Sequence, residues 1–351
     1  MSTTWRLGAL GCVFIGLTGT SLLGCDEISD DPNTAVLDNS DLADDDHLDF
    51  TPVDDEVTFR TFFENGENLN GSQLNGNRFN GNRFNGSILN SVVREGATLA
   101  NIQFASGSLL SAYDPVSQTT RVGAQLANTI FNIGFDPNNT GTDTPAKIRI
   151  TSVVQSSVMS DVYFYNVENE VAPNTYEANC LDGAGNPVDA IALRKAWNPL
   201  TATRLEVEDG LTWACRGAAL AKAVEWGYRP WVSAAMEDAH EAAVRMIRAD
   251  YCGDGVTHTT NGTAIDVSDK WNIQKPDTTW PIEAKWGPDG AVCLNDSLRK
   301  TFWTRSSLPC AASLPYCTSN GLANGTPNTS VSQYGGLLMT QAVPNNNPAA
   351  Y

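Results

Sequence analysis

Residues 233–255, SAAMEDAHEAAVRMIRADYCGDG, combine a helical pattern, a turn and a cysteine in one stretch. We predict a helix from Ser233 to Asp250, with Ser233 as the N-cap because its hydroxyl can accept a hydrogen bond from an unpaired backbone amide. Apolar residues recur at helical spacing on one face, which we expect to pack into a core. The face comprises Met236, Ala239, Ala243, Met246 and Ile247. His240 shares this face, so we interpret it as a hydrogen-bonded core histidine.

The stretch before this helix predicts a second helix and, further upstream, strands. Residues from Arg216 to Trp226 have helical spacing, and Gly227 supplies a common helix end. Three upstream segments are rich in Val, Ile, Tyr and Phe, which is typical of strands. They are 126–135, 146–154 and 158–167. We therefore predict an α+β fold, with an antiparallel β region followed by a disulfide-linked domain containing two helices.

A five-residue repeat begins at Leu69 with the text LNGSQ LNGNR FNGNR FNGSI LNSVV. Its apolar positions are Leu69, Leu74, Phe79, Phe84, Leu89, Leu99, Phe104 and Leu109, with Arg94 on the same count. A period of five fits neither a helix nor a regular strand. It resembles the pentapeptide-repeat pattern and predicts a short β-solenoid with these side chains inside. A flexible Asn/Gly-rich linker is the alternative, because Asn-Gly pairs favour turns.

The beginning of the sequence has the pattern of a bacterial lipoprotein signal. Arg6 gives a positive start, residues 7–23 are uncharged and mostly apolar, and Leu22-Leu23-Gly24-Cys25 matches a lipobox. We predict attachment of a diacylglycerol to the Cys25 sulfur and cleavage before Cys25, which gives a lipoprotein with palmitate as an expected modification. The chain would then be anchored to the inner or outer membrane of the cell envelope, either in the periplasm or exposed at the surface.

Acidic residues concentrate directly after the predicted lipid anchor. Residues 26–59 contain thirteen Asp or Glu and no Lys or Arg, within a chain of net charge −18. Such a segment repels itself and remains extended, so we predict a solvated tether. The composition excludes the strongly basic surface that nucleic-acid binding requires.

Six further cysteines lie in the second half of the chain. They are Cys180, Cys215, Cys252, Cys293, Cys310 and Cys317. An even number in an exported domain predicts disulfide bonds. Six cysteines allow fifteen pairings, and proximity in sequence favours only the pairing of Cys310 with Cys317.

Four sequence blocks occur in order around the two predicted helices. They are Trp213-Ala-Cys215-Arg-Gly-Ala-Ala-Leu-Ala-Lys222, Gly227-Tyr-Arg-Pro-Trp231, Arg248-Ala-Asp-Tyr-Cys-Gly-Asp-Gly255, and Gly262-Thr263 with Ile265-Asp266-Val267. Together they resemble the ADYC domain family over about residues 160–317. These are myxobacterial lipoproteins named for the Ala-Asp-Tyr-Cys motif. The resemblance implies no established activity. It also implies that many members carry cysteines at the places of Ala223 and Ala243, as expected if this chain has lost one disulfide.

These features divide the chain into six predicted segments. They are a signal peptide (1–24), an acidic tether (25–57), a pentapeptide-like repeat (58–112), an antiparallel β region (113–176), an ADYC-like disulfide-rich domain (177–317) and a disordered tail (318–351).

Candidate chemistry in the sequence is sparse, and we predict no cofactor, no metal site and no assigned catalytic residue. Cys252 and His258 are the candidates for a thiol hydrolase, which needs a base within reach of the thiol. Short acidic spacings at Asp182–Asn186 are better explained by a turn. The aromatic set could include a sugar-binding platform, although large aromatics usually build cores. The set comprises Trp213, Trp226, Tyr228, Trp231, Trp271, Trp280, Trp286 and Trp303.

We therefore expect a non-enzymatic cell-envelope lipoprotein with a structural or interaction role. The first alternative is a hydrolase of envelope polymer, based on Cys and His or on carboxylates. The second is a polysaccharide-binding module. The expected partners are a membrane, through the lipid, and an envelope protein or polysaccharide.

Overall fold

Antiparallel strands and two helices build the described part of the chain. The structure is a computed structural model that describes residues 62–64, 88–135, 144–182, 184–198, 201–205, 211–275, 280–300, 303–317 and 331–342. All of them belong to one compact unit, Asn39–Tyr351. The predicted signal peptide, Cys25, the acidic tether, and the repeat units marked by Leu69, Leu74, Phe79 and Phe84 lie outside the described residues.

The strands and helices are numbered in chain order. The strands are β1 (Phe62–Glu64), β2 (Ile88–Arg94), β3 (Ala97–Ser106), β4 (Leu109–Asp114), β5 (Thr119–Val122), β6 (Ile130–Phe135), β7 (Thr144–Gln155), β8 (Tyr163–Ala172), β9 (Thr175–Ala178), β10 (Ala190–Leu193), β11 (Ala196–Trp197), β12 (Arg204–Leu205), β13 (Thr212–Cys215), β14 (Ala264–Asp269), β15 (Ile282–Gly287), β16 (Gly290–Leu294) and β17 (Leu338–Gln341). The helices are α1 (Ala219–Glu225) and α2 (Ala234–Arg248).

The larger sheet runs in the order β13-β10-β8-β7-β6-β2-β3-β4-β5, with β9 paired to β8. Its central strands β6, β7 and β8 occupy the three segments where the sequence predicts strands, and their antiparallel pairing is confirmed. Along β7, Ile148 and Ile150 are fully buried. Lys147 points to the other face and pairs with Glu170 at 2.9 Å, which is the alternation expected of a sheet with one core face.

Residues 88–114 form antiparallel strands and not solenoid coils, which corrects the prediction for this part of the repeat. Leu99 is buried, and Phe104 packs against the same core. A step of five would place two residues on opposite faces of a regular strand. A register shift after Ala100, with Asn101 at φ 49°, adds one residue to β3 and restores the shared face. The β-bulge therefore explains how a five-residue phase fits a strand.

The two helices form a layer between the larger sheet and a smaller one of order β1-β14-β17-β15-β16. A single core joins Ile191 of β10 and Trp286 of β15 through both helices. α2 begins after Ser233, as predicted, and the Ser233 hydroxyl accepts a hydrogen bond from the Met236 amide at 3.2 Å. Neither helix in the described part of the chain is long and apolar enough to cross a membrane.

The predicted disordered tail contains a central strand of the smaller sheet. β17 lies between β14 and β15, and its four residues are all buried. The prediction is therefore wrong for residues 331–342. Composition rich in Asn, Gly and Pro suggested disorder, but a four-residue strand needs only a short apolar segment once two neighbouring strands supply its hydrogen bonds.

The six cysteines lie at disulfide distance in three pairs. Cys180 pairs with Cys215, Cys252 with Cys310, and Cys293 with Cys317. The predicted Cys310–Cys317 pairing is wrong. The Pro315 carbonyl accepts a hydrogen bond from the Leu294 amide at 3.0 Å, which aligns the segment before Cys317 with β16 and brings Cys317 to Cys293. Cys310 lies at the other side of a turn, beside the end of α2.

Candidate functional site

The Ala249-Asp250-Tyr251-Cys252 turn closes the C-terminal end of α2. Ala249 adopts the left-handed conformation at φ 52°, which ends the helix. The Asp250 carboxylate accepts hydrogen bonds from the backbone amides of Asp254 at 3.1 Å and Gly255 at 3.0 Å. It also pairs with Arg245 at 2.5 Å. Burial raises the pKa of Asp250, and the Arg245 guanidinium opposes that rise. Asp250 therefore acts as the cap and hydrogen-bond centre of the turn.

Tyr251 connects the turn to a buried ion pair in the smaller sheet. Its hydroxyl donates a hydrogen bond to the Glu283 carboxylate at 2.7 Å. Arg299 Nη2 lies 2.6 Å from Glu283 Oε2, and both side chains are fully buried. Burial alone would raise the pKa of Glu283, but the charge and hydrogen bonds of Arg299 outweigh it and lower that pKa. The pair is therefore ionised and structural.

The candidate thiol and base have structural partners. Cys252 Sγ lies 2.00 Å from Cys310 Sγ, so it is not a free thiol. His258 Nδ1 lies 3.1 Å from the Ala249 carbonyl oxygen, and its ring packs edge-on against Trp303 with centroids 4.7 Å apart. Burial lowers the pKa of His258. All six cysteines of the described residues are paired, so none of them offers His258 a thiol to activate.

A cavity of about 500 Å³ lies beside the first half of α2. Its walls come from four places: the β3–β4 turn, the segment from β10 to β12, the loop before α2, and α2 itself. The polar lining includes Arg194, Lys195, Arg204, Glu237, His240 and Glu241. Aromatic rings of Trp197 and Trp231 complete the wall, so that apolar and hydrogen-bonding surfaces share one space.

Two carboxylates one helical turn apart face different surroundings in the cavity. Glu237 lies 3.8 Å from Lys195 Nζ and 3.5 Å from Arg204 Nη1. Glu241 is buried, and its Oε1 accepts a hydrogen bond from Trp197 Nε1 at 2.5 Å. Burial raises the pKa of Glu241 to about 7, although Trp197 and Arg204 act against the rise. Glu241 can therefore be a hydrogen-bond donor or an acceptor near neutral pH.

His240 is the core histidine that the sequence predicts, and it also lines the cavity. It is 1% exposed, and its Nε2 lies 3.0 Å from the Leu220 carbonyl oxygen. Its Nδ1 is buried and has no hydrogen-bond partner among the described residues. Burial lowers the pKa of His240 to about 4, so the ring is neutral at neutral pH.

The position of Trp231 is fixed by Asp161. Trp231 Nε1 donates to Asp161 Oδ2 at 2.7 Å, and Arg229 donates to Oδ1 at 2.6 Å. The Asp161 carbonyl accepts from the Ser108 amide at 3.0 Å. Gly107, with φ 57°, approaches so closely that a Cβ there would lie 2.0 Å from the same carbonyl. These contacts join the β3–β4 turn to the loop that carries Trp231.

The aromatic set separates into buried and partly exposed members. Trp213, Trp226, Tyr228, Trp280 and Trp286 are buried, whereas Trp231, Trp271 and Trp303 are partly buried. The described residues contain no exposed coplanar tryptophan pair, so a flat sugar platform is not formed by this set. Trp231 alone among these eight lines the cavity.

Two other sequence predictions concern polar clusters. Asp182 Oδ1 accepts hydrogen bonds from the amides of Ala184 and Asn186, which confirms a turn at Asp182–Asn186. No group of metal-ligating side chains occurs within the described ranges. Ala223 and Ala243, where the family resemblance implies cysteines, lie fully buried in the core that α1 and α2 share.

Sequence reasoning did not identify Trp197 and Glu241 as partners. A signal was present, because Glu237 and Glu241 are spaced four residues apart and therefore lie on the same side of a helix. Their shared cavity also depends on β10 to β12, whose contact with α2 no local pattern predicts.

Comparison with known proteins gives one family. The family model described as the ADYC domain matches residues 123–300, slightly more than half of the chain. No match to the chain was found among curated proteins or among solved structures.

Proposed function

The chain belongs to the ADYC domain family, and we propose that it is a non-enzymatic cell-envelope lipoprotein whose disulfide-linked domain has a structural or interaction role. One observation carries the proposal: the side chains of the Ala-Asp-Tyr-Cys turn have internal structural partners. Asp250 caps the turn, Tyr251 bonds to Glu283, and Cys252 pairs with Cys310. A motif occupied in this way supports a fold-closing role for the turn and leaves interaction to other surfaces.

The proposed location rests on the signal pattern and on the cysteines. Lipid on Cys25 would anchor the chain to the inner or outer membrane, with residues 25–57 as a tether. Three disulfide pairs are consistent with an oxidising compartment outside the cytoplasm. The partner within the envelope is a protein or a polysaccharide.

Metabolic labelling tests the anchor. Cells producing the wild type and Cys25→Ala are grown with an alkyne fatty acid, and the purified proteins are reacted with a fluorescent azide. We expect label on the wild type and loss of label in Cys25→Ala. Cys12→Ala, which changes a cysteine inside the predicted signal peptide, is the matched control and should keep the label. Equal labelling of wild type and Cys25→Ala would refute the lipid attachment.

A carboxylate-based hydrolase of envelope polymer is the second candidate function. Glu237 and Glu241 line one cavity, and the pKa of Glu241 is raised to about 7. A protonated and an ionised carboxylate are the pair that glycoside hydrolysis uses. Incubation with purified envelope polysaccharide, followed by a reducing-end assay, tests this activity. Release of ends by the wild type and not by Glu241→Gln would replace the non-enzymatic proposal.

A further inference from the structure

His240 lines the cavity and carries a buried ring nitrogen that has no hydrogen-bond partner among the described residues. The Leu220 carbonyl oxygen can only accept, so the hydrogen between it and His240 Nε2, 3.0 Å away, must belong to Nε2. Nδ1 of the neutral ring therefore carries a lone pair, and it has no partner among the described residues. Leaving a buried polar atom without a hydrogen bond typically costs the folded protein about 1–3 kcal/mol. A ligand that donates a hydrogen bond to Nδ1 would offset this cost.

Glu241 offers a second acceptor next to this one. Its Oε1 is held by Trp197 Nε1, whereas its Oε2 has no hydrogen-bond partner within the part of the chain that the structure describes. Because the neighbouring residues His240 and Glu241 both line the cavity, a ligand there meets two acceptors that the fold leaves unsatisfied.

The remaining lining limits the chemistry of that ligand. The side chains of Arg194 and Lys195 lie in the same wall, so a ligand there also meets hydrogen-bond donors. Trp231 adds a ring whose indole nitrogen is already bound to Asp161, which leaves the apolar ring for contact. A purely apolar ligand would leave His240 Nδ1 and Glu241 Oε2 unsatisfied. A simple cation is also unsuitable, because the positive charges of Arg194, Lys195 and Arg204 in the same lining would repel it.

We propose that this cavity is a saccharide-binding site, in which His240 Nδ1 and Glu241 Oε2 accept hydrogen bonds from sugar hydroxyls while Trp231 contacts the C–H face of the sugar ring. Hydroxyls both donate and accept, and a sugar ring has an apolar face, which together match the mixed lining. The volume of about 500 Å³ lies within the range of small-ligand sites. The inference rests on the proposed function, because it names the class of envelope partner.

Binding is tested with the full-length protein in a detergent that has no sugar headgroup. An array of neutral and acidic oligosaccharides identifies a bound probe, and titration calorimetry then gives the affinity for it. Trp231→Ala should weaken binding at least tenfold, and Glu241→Gln should weaken it by about tenfold. The matched control is Trp271→Ala, a partly buried tryptophan outside the cavity with Lys270 over its ring, which should bind as the wild type does. Thermal melts establish that each variant is folded.

A spectroscopic measurement tests the role of His240 directly. The ¹⁵N resonance of the unprotonated Nδ1 should move upfield when the probe is added, because Nδ1 then accepts a hydrogen bond. Failure of every saccharide on the array to bind, or equal binding by Trp231→Ala and Trp271→Ala, would overturn the site. Cleavage of the bound saccharide would keep the site and favour the hydrolase. Fatty-acid labelling of Cys25 is independent of these results, so the two proposals fail separately.

Discussion

The two halves of α2 differ in whether the polar side chains there have hydrogen-bond partners within the fold. At the C-terminal end, Asp250 and Tyr251 bond to neighbouring parts of the fold and Cys252 is in a disulfide. In the N-terminal half, His240 and Glu241 line a cavity, and neither His240 Nδ1 nor Glu241 Oε2 has a hydrogen-bond partner among the described residues. The difference indicates that the residues most easily recognised in the sequence close the fold, while the residues available to a ligand belong to no recognisable motif.

The largest expected effect concerns the C-terminal end of α2, where Tyr251 contacts the buried Glu283–Arg299 pair. Arg299→Met leaves the Glu283 carboxylate buried without its cation, and removing one partner of a buried ion pair typically costs about 3–5 kcal/mol. We expect urea denaturation to show a loss of that order in the free energy of unfolding. The double variant Arg299→Met with Glu283→Gln is the control and should lose less, because no unpaired charge remains. An equal loss in both variants would mean that the ion pair is not what stabilises this end.

The disulfide at the same end has the next largest effect. Replacing Cys252 and Cys310 together by serine should lower the free energy of unfolding by about 2–4 kcal/mol, because the unfolded chain is no longer crosslinked. Mass measurement of the alkylated, non-reduced wild type should show no alkyl group at Cys252. Uptake of one group there would contradict the pairing and reopen the thiol hydrolase.

The N-terminal half of α2, where Glu241 lines the cavity, is tested through the pH dependence of stability. The pKa of Glu241 in the folded protein is about 7, above the value of 4.5 expected for an exposed glutamate. Its favourable contribution to stability is therefore complete below pH 4.5 and is lost as the pH rises through 7. This loss amounts to about 2–3 kcal/mol between pH 5 and pH 8. Chemical denaturation of Glu241→Gln at both pH values should show a smaller decline than the wild type. The charged groups that act on the pKa of Glu241 are Arg204, Arg245 and Glu237. An identical decline in both proteins would assign the pH dependence to other groups.

The smallest effect concerns the start of α2. Ser233→Ala removes the hydrogen bond to the Met236 amide and should cost about 1 kcal/mol. Ser233→Thr keeps a capping hydroxyl and should retain most of the stability in the same thermal melt. If the alanine and threonine variants are equally stable, the capping hydrogen bond contributes nothing and other contacts stabilise the start of the helix.

Local features of the fold were predictable from the sequence. The cap at Ser233, the core position of His240, and the strands β6 to β8 follow from side-chain chemistry and spacing within a few residues. Features that depend on distant parts of the chain were not. β17 forms a strand because β14 and β15 supply its hydrogen-bond partners on both sides. Cys317 lies next to Cys293 because the Leu294 amide bonds to the Pro315 carbonyl.

The candidate site was predictable only in part. His240 was placed correctly in the core, but Glu241 and Arg245 were not expected to be buried. The apolar stripe suggests one buried face, whereas α2 packs against both α1 and the smaller sheet and also buries Glu241, Arg245 and Arg248. Polar residues on the other faces of the helix are buried because ion pairs and hydrogen bonds compensate them. Some of those partners, such as Asp250 for Arg245, are near in sequence, whereas Trp197, the partner of Glu241, lies 44 residues away.

The Cys252–Cys310 and Cys293–Cys317 pairs overlap along the chain, since Cys293 lies between Cys252 and Cys310, whereas Cys317 lies beyond Cys310. A single cut by a protease at any peptide bond between Cys252 and Cys317 therefore leaves both fragments joined in one covalent molecule. A nicked protein would keep its mass on a non-reducing gel and separate only after reduction. This arrangement confers tolerance to cleavage on the part of the chain that follows α2.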